Sequence, residues 1–148
     1  MSGHSSESLP AGGHRYVARV YYEDTDAGGV VYYANYLRFA ERARTEALRE
    51  VGAAHAEMTS QHGLMFMVRQ VKLDYLAPAR LDDSLVVLTR LLALRPASVL
   101  LRQSFFRAGE ERMLVDAEVL LVSVRVEDGR PRPAPLPEKW RSALRNLG

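Results

Sequence analysis

Two kinds of hydrophobic pattern divide the chain into a helical segment and a strand-rich segment. Between Ala34 and Gly52, apolar residues recur at steps of three and four, which is the spacing of one face of an α-helix. The members of that face are Tyr36, Ala40, Ala43, Ala47 and Val51. Because most of these side chains are small, the helix can pack closely on its neighbour. We therefore predict one long helix that ends at Gly52.

Five stretches rich in β-branched and aromatic residues predict strands. Residues 15–22 precede the helix, and four longer strands follow it: Leu64–Leu76, Ser84–Leu94, Ser98–Ala108 and Arg112–Val126. The short gaps between the later strands favour antiparallel pairing. On the first of these four, alternation places five apolar residues on one face with Arg69 among them: Met65, Met67, Val71, Leu73 and Tyr75. The fold class is thus α+β, with one long helix and a sheet of about five antiparallel strands.

The two ends of the chain differ in composition from this body. Residues 1–14 have no basic start followed by an apolar run, so they are interpreted as a flexible leader rather than a secretory signal. Residues 129–148 contain four of the seven prolines and predict an extended, solvated basic tail with a short amphipathic end. The predicted division is leader 1–14, domain 15–128 and tail 129–148.

Charge and cysteine content exclude several classes of function. The formal net charge is +2, and residues 131–148 carry four basic side chains and one acidic one, so the body is near neutral and gives no case for nucleic acid. The chain has no cysteine, which removes disulfides and thiolate metal sites. No apolar run approaches the roughly 20 residues that span a bilayer. We expect a cytoplasmic protein without a membrane span, metal or cofactor.

A single helix covers only part of such a sheet. A second copy of the chain would cover the remainder and would also protect the exposed edge strands. We therefore expect a homodimer or a homotetramer.

The segment between the first strand and the helix carries the candidate chemistry. Its sequence, YYEDTDAGGVVYYANY, occupies residues 21–36 and concentrates acids, glycines and tyrosines. A carboxylate there can act as general base or nucleophile, and the unpaired amides of a helix N-terminus can polarise a carbonyl. This combination suits attack on a thioester, whose leaving group needs little help. The alternative is a structural loop, since Asp and Gly are common in loops, and spacing alone favours that alternative.

The stretch YYEDTDAGGVVYYANYLRFAERAR resembles the signature of the 4-hydroxybenzoyl-CoA thioesterase family. It is most similar to the branch of bacterial acyl-CoA thioesterases associated with the Tol-Pal envelope system, as is VKLDYLAPARLDD further along the chain. The resemblance covers roughly residues 16–126. It implies the hotdog fold, a long helix wrapped by an antiparallel sheet, in a dimer or tetramer. It also implies an acyl-CoA substrate and no cofactor, with acyl carrier protein as a further candidate partner.

The same resemblance implies roles for individual residues. Asp26 matches the catalytic carboxylate, which attacks the thioester carbonyl or activates a water, and the sequence does not choose between these. Tyr33 falls where the backbone N–H at the helix start contacts the thioester oxygen. The substrate-binding positions that the resemblance implies are Gly28, Gly29, Val30, Asn35 and Arg95. Asn35 matches a cap or orienting group, and Arg95 lies in a turn where relatives present basic residues to the phosphates of CoA.

One position departs from the branch that the chain most resembles. Many Tol-Pal-associated members have His where this chain has Tyr33, whereas the benzoyl-CoA members resemble this chain in having Tyr. A backbone amide contact is compatible with either side chain. The tyrosine raises the hypothesis of an aromatic acyl group. It also keeps open a second function, a weakly catalytic acyl-thioester-binding or scaffold protein that works with acyl carrier protein or phospholipid-synthesis enzymes.

The residues and motifs that several other classes of enzyme require are absent from the sequence. A hotdog dehydratase needs a histidine with its acid, and no His lies near the motif. The chain has no nucleophile elbow, phosphate loop, zinc-peptidase pair or dinucleotide fingerprint. His55 and His62 have no third ligand nearby, so they are interpreted as loop residues rather than a metal pair.

Overall fold

The computed structural model describes residues 12–148. Within these residues one antiparallel sheet contains six strands: β1 His14–Arg19, β2 Met65–Tyr75, β3 Ser84–Leu94, β4 Ser98–Arg107, β5 Met113–Glu127 and β6 Arg130–Pro133. The described part of the chain also forms three α-helices: α1 Tyr33–Glu50, α2 His55–His62 and α3 Glu138–Arg145. A 3-10 turn at Tyr22–Asp24 follows β1. Residues 1–11 of the predicted leader lie outside the described residues.

The strands are ordered β1-β3-β4-β5-β2, and the short β6 pairs with β5. Every pairing is antiparallel. The α+β class, the long helix and the antiparallel sheet of five main strands are therefore confirmed. Strand β6 is an addition that the sequence did not predict.

The small face of α1 packs on the sheet as its spacing predicts. Tyr36, Ala40, Ala43 and Ala47 are each at most 2% exposed. Residue Gly52 has φ +88°, a left-handed conformation that glycine adopts without strain, and its N–H donates to the carbonyl of Arg49. The alanines bring the helix axis close to the sheet, so the start of α1 is held at a defined height above the strands.

One predicted face of β2 is wrong, because the strand contains a bulge. The register with β5 shifts between Val68 and Gln70, which leaves Arg69 as the extra residue. Before the bulge Met67 pairs with Val122, and after it Val71 pairs with Val119. Cross-strand partners lie on the same face, and positions 119 and 122 of a strand face opposite ways. The methionines therefore lie on the opposite face from Val71, Leu73 and Tyr75.

The expectation of a solvated tail is wrong for residues 134–147. Trp140, Leu144 and Leu147 are at most 1% exposed and belong to the same apolar cluster as Leu64 and Val119. The three tail side chains recur at steps of four and three on α3 and just past its end, so one side of this short helix enters the core. The domain boundaries 15–128 stay a prediction, but the apolar core includes residues beyond 128.

The apolar core has a second cluster at the other end of the sheet. It contains the first turns of α1, with Tyr36 and Phe39, together with Leu85, Phe105 and Val115 from the sheet. This second cluster supports the segment that carries the candidate chemistry. None of the helices in residues 12–148 has the length and apolar character needed to cross a membrane.

Candidate active site

Asp26 lies in a tight turn that directs its carboxylate. The Asp26 N–H donates to the carbonyl of Val30 at 2.9 Å, and the Gly29 N–H donates to the carbonyl of Asp26 at 3.1 Å. The Gly28 N–H donates to the Asp26 Oδ1 at 2.8 Å. The other carboxylate oxygen, Oδ2, accepts no hydrogen bond from a protein group in residues 12–148. Within these residues, one oxygen of Asp26 is thus held by the turn and the other has no hydrogen-bond donor.

The two glycines of this turn have separate roles. Gly29 has φ +79°, which only glycine adopts readily. At Gly28 a Cβ would lie 3.3 Å from the Asp26 Oδ1, a distance tighter than most real contacts. Gly28 therefore gives the Asp26 carboxylate room, and Gly29 makes the turn possible.

Helix α1 begins directly after this turn, at Tyr33. Tyr32, which precedes it, has φ −67° and ψ 139°, so it is extended, and its side chain does not cap the helix. The first amides of a helix have no partner inside the helix and carry partial positive charge. Within the described part of the chain, the Tyr33 N–H has no acceptor. It is an available donor at the positive end of the longest helix.

A clamp fixes the position of the turn relative to the helix. The carbonyl of Asp24 accepts the Tyr32 N–H at 3.0 Å and the side-chain amide of Asn35 at 2.8 Å. The carboxylate of Asp24 accepts the Tyr21 N–H at 2.9 Å. Asn35 is 7% exposed, so this contact is sheltered from water. Asp24 and the Asn35 side chain are thus engaged in hydrogen bonds within the protein. These hydrogen bonds hold the Asp26 turn against the start of α1.

A second segment, residues 76–83, packs beside the turn through backbone hydrogen bonds. The Val31 N–H donates to the carbonyl of Ala79 at 2.8 Å, and the Leu81 N–H donates to the carbonyl of Gly29 at 3.1 Å. The hydroxyl of Tyr36 accepts the Ala79 N–H at 3.0 Å. The Asp26 turn is therefore held from the helix on one side and from this segment on the other.

Arg107 and Asp83 hold that segment in turn. Arg107 Nε donates to Asp83 Oδ2 at 3.0 Å, and its terminal nitrogens donate to Glu110 at 2.9 Å and to the carbonyl of Pro78 at 3.2 Å. The same Asp83 oxygen accepts the Arg80 N–H at 2.8 Å. The hydrogen bond to Asp83 is the main cause that raises the pKa of Arg107. The ion pair links β4 to the wall of the candidate site.

A cavity of about 380 Å³ lies between these elements. It is lined by Asp26, Val30, Val31, Tyr32, Tyr33, Tyr36, Tyr75, Leu76, Ala77 and Pro78. Asp26 and Tyr33, the residue whose helix-start amide has no acceptor within residues 12–148, thus line the same cavity. Its remaining walls are apolar or aromatic, which suits an acyl group rather than a charged one.

The structure brings some of the predicted site residues together and leaves others apart. Asp26, Tyr33 and Val30 line the cavity, and Gly28 and Gly29 form the adjoining turn. The buried amide of Asn35 does not line the cavity but holds the turn.

Arg95 lies at the opposite end of β3 from the site. Strand β3 begins at Ser84, beside the segment that lines the cavity, and Arg95 follows its last residue, Leu94. Ten steps of a strand separate Ser84 from Leu94, or about 33 Å. Arg95 therefore does not contact the cavity of its own chain.

The two histidines of α2 are separately engaged. The Nε2 atom of His55 accepts the Phe66 N–H at 3.0 Å, and the ring of His62 packs edge-on against Trp140 with centroids 5.9 Å apart. In residues 12–148 no group of three His, Cys, Asp or Glu side chains could hold a metal ion.

Sequence reasoning missed the second half of the cavity. Tyr75, Leu76 and Pro78 lie more than 40 positions after Asp26, and no local pattern links them to it. The run LAPARLDD gave the one available signal, since a proline and two consecutive acids directly after a strand mark a fixed turn. The Asp83–Arg107 pair joins residues 24 positions apart and has no such local signal.

Comparison with known proteins identifies the family. A family model described as the thioesterase-like superfamily matches residues 20–144. The chain therefore belongs to the thioesterase-like superfamily.

Individual relatives agree with this assignment. The chain is 45% identical over 121 residues to an acyl-CoA thioester hydrolase, YbgC, of Escherichia coli O6:H1, covering 82% of this chain and 89% of the relative. It is 39% identical over 135 residues to the acyl-CoA thioesterase YbgC of Haemophilus influenzae, covering 91% and 96%. The resemblance of the sequence to bacterial acyl-CoA thioesterases is confirmed.

The fold is also that of a solved structure. The 4-hydroxybenzoyl-CoA thioesterase of Pseudomonas sp. strain CBS-3 superposes with a TM-score of 0.82 at 20% identity, over 90% of this chain and 99% of that one. At that identity the similarity concerns the fold alone, and it confirms the predicted hotdog architecture.

Proposed function

We propose that the protein is an acyl-CoA thioesterase, which converts an acyl-CoA and water into a carboxylic acid and free CoA. The observation that carries this proposal is the placement of a carboxylate with a free oxygen and a helix-start residue with a free amide around one apolar cavity. The names of the relatives that are 39% and 45% identical agree with this chemistry.

In the proposed reaction the thioester carbonyl oxygen accepts the Tyr33 N–H. Negative charge develops on that oxygen as the carbonyl carbon is attacked, and a donor at the positive end of α1 stabilises it. An interaction of this kind contributes about 3 to 4 kcal/mol to transition-state binding in other hydrolases. The amide belongs to the rigid helix, so little reorganisation accompanies the reaction.

Asp26 supplies the attack by one of two routes. As nucleophile, its free oxygen bonds to the carbonyl carbon, the carbon–sulfur bond breaks, and water then hydrolyses the resulting anhydride. As general base, it removes a proton from a water that attacks the same carbon. In both routes the CoA thiolate leaves and takes up a proton. Asn35 acts as a positioning residue, because its amide holds the turn rather than the substrate.

Substrate binding is proposed for Val30, Gly28 and Gly29, which lie along the turn beside Asp26. A contact between Arg95 and the phosphates of CoA requires a second copy of the chain, because Arg95 lies at the far end of its own β3. Strand β2 lies at an edge of the sheet and exposes Met67 and Val68, and such an edge suits pairing with a copy. We accordingly propose a homodimer or a homotetramer.

The finer assignments follow from the resemblance. They are a cytoplasmic location, association with the Tol-Pal system, and acyl carrier protein as a further partner. A weakly catalytic acyl-binding or scaffold protein is the second candidate function. The observation that favours it is that no histidine lines the cavity within residues 12–148.

Thiol release from a panel of acyl-CoAs tests the proposal, with Asp26→Asn beside wild type. We expect clear turnover by wild type and a loss of about a hundredfold or more in kcat for the variant, as for a missing catalytic base. Glu23→Gln is the matched control, since Glu23 is an exposed acid three residues earlier that does not line the cavity. Equal turnover by wild type and Asp26→Asn contradicts the proposal. Acyl-CoA binding without turnover favours the scaffold function instead.

A further inference from the structure

Three aromatic rings close one side of the cavity, and Tyr75 lies between the other two. The ring centroid of Tyr75 is 5.0 Å from that of Tyr33 and 5.5 Å from that of Tyr36. Tyr33 and Tyr36 belong to α1, whereas Tyr75 is the last residue of β2. The Tyr75 ring therefore bridges the helix and the sheet at the point where the cavity meets them.

The cavity cannot extend inward past Tyr36. That side chain is 2% exposed, and its hydroxyl accepts the Ala79 N–H at 3.0 Å. Its ring packs edge-on against Phe105, which is fully buried, with centroids 5.7 Å apart. Protein interiors are close-packed, so an acyl group that reaches Tyr36 meets solid core.

An open apolar path lies on the other side of Tyr75. Past its ring, the helix-facing side of β2 continues with Leu73 and Val71, which are only partly buried. On α1, Leu37 is 43% exposed and lies one turn after Tyr33, on the same side of the helix. These side chains would accommodate the end of a long acyl chain, but the Tyr75 ring separates them from the cavity.

We propose that Tyr75 is the specificity-determining residue for the acyl group, and that its ring restricts the enzyme to short-chain or single-ring acyl groups. This inference rests on the proposed thioester hydrolysis. The aromatic walls give a benzoyl-like group favourable ring contacts, and a short aliphatic group fits the same space. A long chain has no route from Asp26 to the path along β2 unless the Tyr75 ring is removed.

Substitution at Tyr75 tests the proposal directly. Thiol release is measured with butanoyl-CoA, benzoyl-CoA and dodecanoyl-CoA for wild type, Tyr75→Phe, Tyr75→Ala and Tyr75→Val. For wild type and Tyr75→Phe we expect kcat/KM for butanoyl-CoA and for benzoyl-CoA to exceed that for dodecanoyl-CoA by about tenfold or more. For the two small variants we expect the dodecanoyl-to-butanoyl ratio to rise by at least about tenfold, because pocket contacts with methylene groups discriminate on this scale.

Two controls separate this inference from folding and from the proposed function. Tyr22→Ala removes a tyrosine that is 81% exposed and does not line the cavity, and it should keep the wild-type ratio. Thermal unfolding shows whether Tyr75→Ala and Tyr75→Val are folded. Valine is included because β-branched residues are favoured in strands, so Tyr75→Val should disturb β2 less than Tyr75→Ala does. Uncleavable thioethers, S-butyl-CoA and S-dodecyl-CoA, are compared by calorimetry, and their Kd ratio should change in the small variants as the kcat/KM ratio does.

Wild-type preference for dodecanoyl-CoA overturns the inference. So does a folded small variant whose ratio stays within about twofold of wild type. If wild type hydrolyses none of the thioesters, the proposed function is rejected but the inference about Tyr75 is not. The ratio of the thioether Kd values then decides whether Tyr75 limits the size of the acyl group.

Discussion

At the end of the sheet where α3 packs, Trp140, Met58 and Leu64 fill the space between helices and strands with no exposed surface. At the other end, around Asp26, Tyr33 is 69% exposed and Tyr75 is 43% exposed, and a cavity remains. The first end is held by apolar burial. The second has an apolar cluster beneath it, and the wall of its cavity is held in addition by backbone hydrogen bonds and the Asp83–Arg107 ion pair. A closely packed end thus adjoins an open end that carries the candidate site.

This division predicts that stability and activity can be changed separately. A substitution in the α3 cluster should lower the free energy of unfolding and leave the chemistry of the folded protein unchanged. A substitution in the Asp26 turn should do the reverse, since Asp26 and Tyr33 are exposed and bury little apolar surface.

Trp140→Ala should give the largest loss of stability. The side chain is fully buried among the apolar residues of its cluster, so its removal leaves a cavity and should cost about 3 to 5 kcal/mol. Thermal or urea unfolding measures the loss, and thiol release is measured well below the midpoint. We expect kcat/KM within about twofold of wild type. If folded Trp140→Ala loses as much activity as Asp26→Asn does, the claim that the α3 end contributes to stability but not to activity is contradicted.

Arg107→Met should have an intermediate effect on both properties. The change removes the donor that holds Asp83 and the Pro78 carbonyl, at a cost of about 1 to 3 kcal/mol for hydrogen bonds to a charged group. Because Pro78 lines the cavity, kcat should also fall by about tenfold or more through misplacement of the site. The measurements are unfolding and thiol release on the same preparations.

Arg102→Met is the matched control for this change. Arg102 forms a bidentate pair with Asp116, at 2.9 and 2.7 Å, and it does not line the cavity. We expect a similar change in stability with kcat close to wild type. Equal losses of kcat in the two variants would contradict a positioning role for Arg107.

Glu138→Gln should give the smallest effect, a slight loss of stability at neutral pH that disappears in acid. Hydrogen bonds from Arg145 and from Ser142 lower the pKa of Glu138 below its ordinary value of 4.5. A lowered pKa in the folded state stabilises the protein above the unfolded value, and this stabilisation is lost as pH falls through the folded pKa. Wild type should therefore have a slightly higher free energy of unfolding than Glu138→Gln at neutral pH. This difference should disappear below about pH 4.5, as measured by unfolding at a series of pH values. If the stability difference between wild type and Glu138→Gln instead grows as the pH falls, the predicted direction of the pH dependence is contradicted.

Local patterns in the sequence predict the elements well and their tertiary environment less well. The steps of three and four in α1 identify the buried alanines, and the bounds of β3 match the predicted Ser84–Leu94. The face of β2 was wrong because the bulge at Arg69 depends on the register with β5, which is a long-range property. The short amphipathic end of the tail is confirmed by α3, but the expectation that the tail is solvated was wrong because its prolines outweighed the helical spacing of Trp140 and Leu144, which predicts a buried side.

The candidate site likewise has a part that local sequence patterns predict and a part that depends on the packed fold. The motif around Asp26 and Tyr33 is contiguous, so its geometry follows from a turn and a helix start that the sequence encodes locally. Tyr75 and Pro78 enter the cavity only because β2 lies under α1 and because Arg107 holds the segment after it. Contacts of this second kind need the packed fold.

The most direct test of the central claim is thiol release by Tyr33→Pro compared with Tyr33→Ala. Proline is well tolerated at the first position of a helix, and extended Tyr32 is compatible with a following proline. Both variants lose the tyrosine ring, but only proline removes the N–H. We predict that Tyr33→Pro keeps its folded stability and has a kcat about a hundredfold or more below that of Tyr33→Ala, as for a missing oxyanion donor. Equal kcat values in two folded variants would contradict the role of this amide in catalysis.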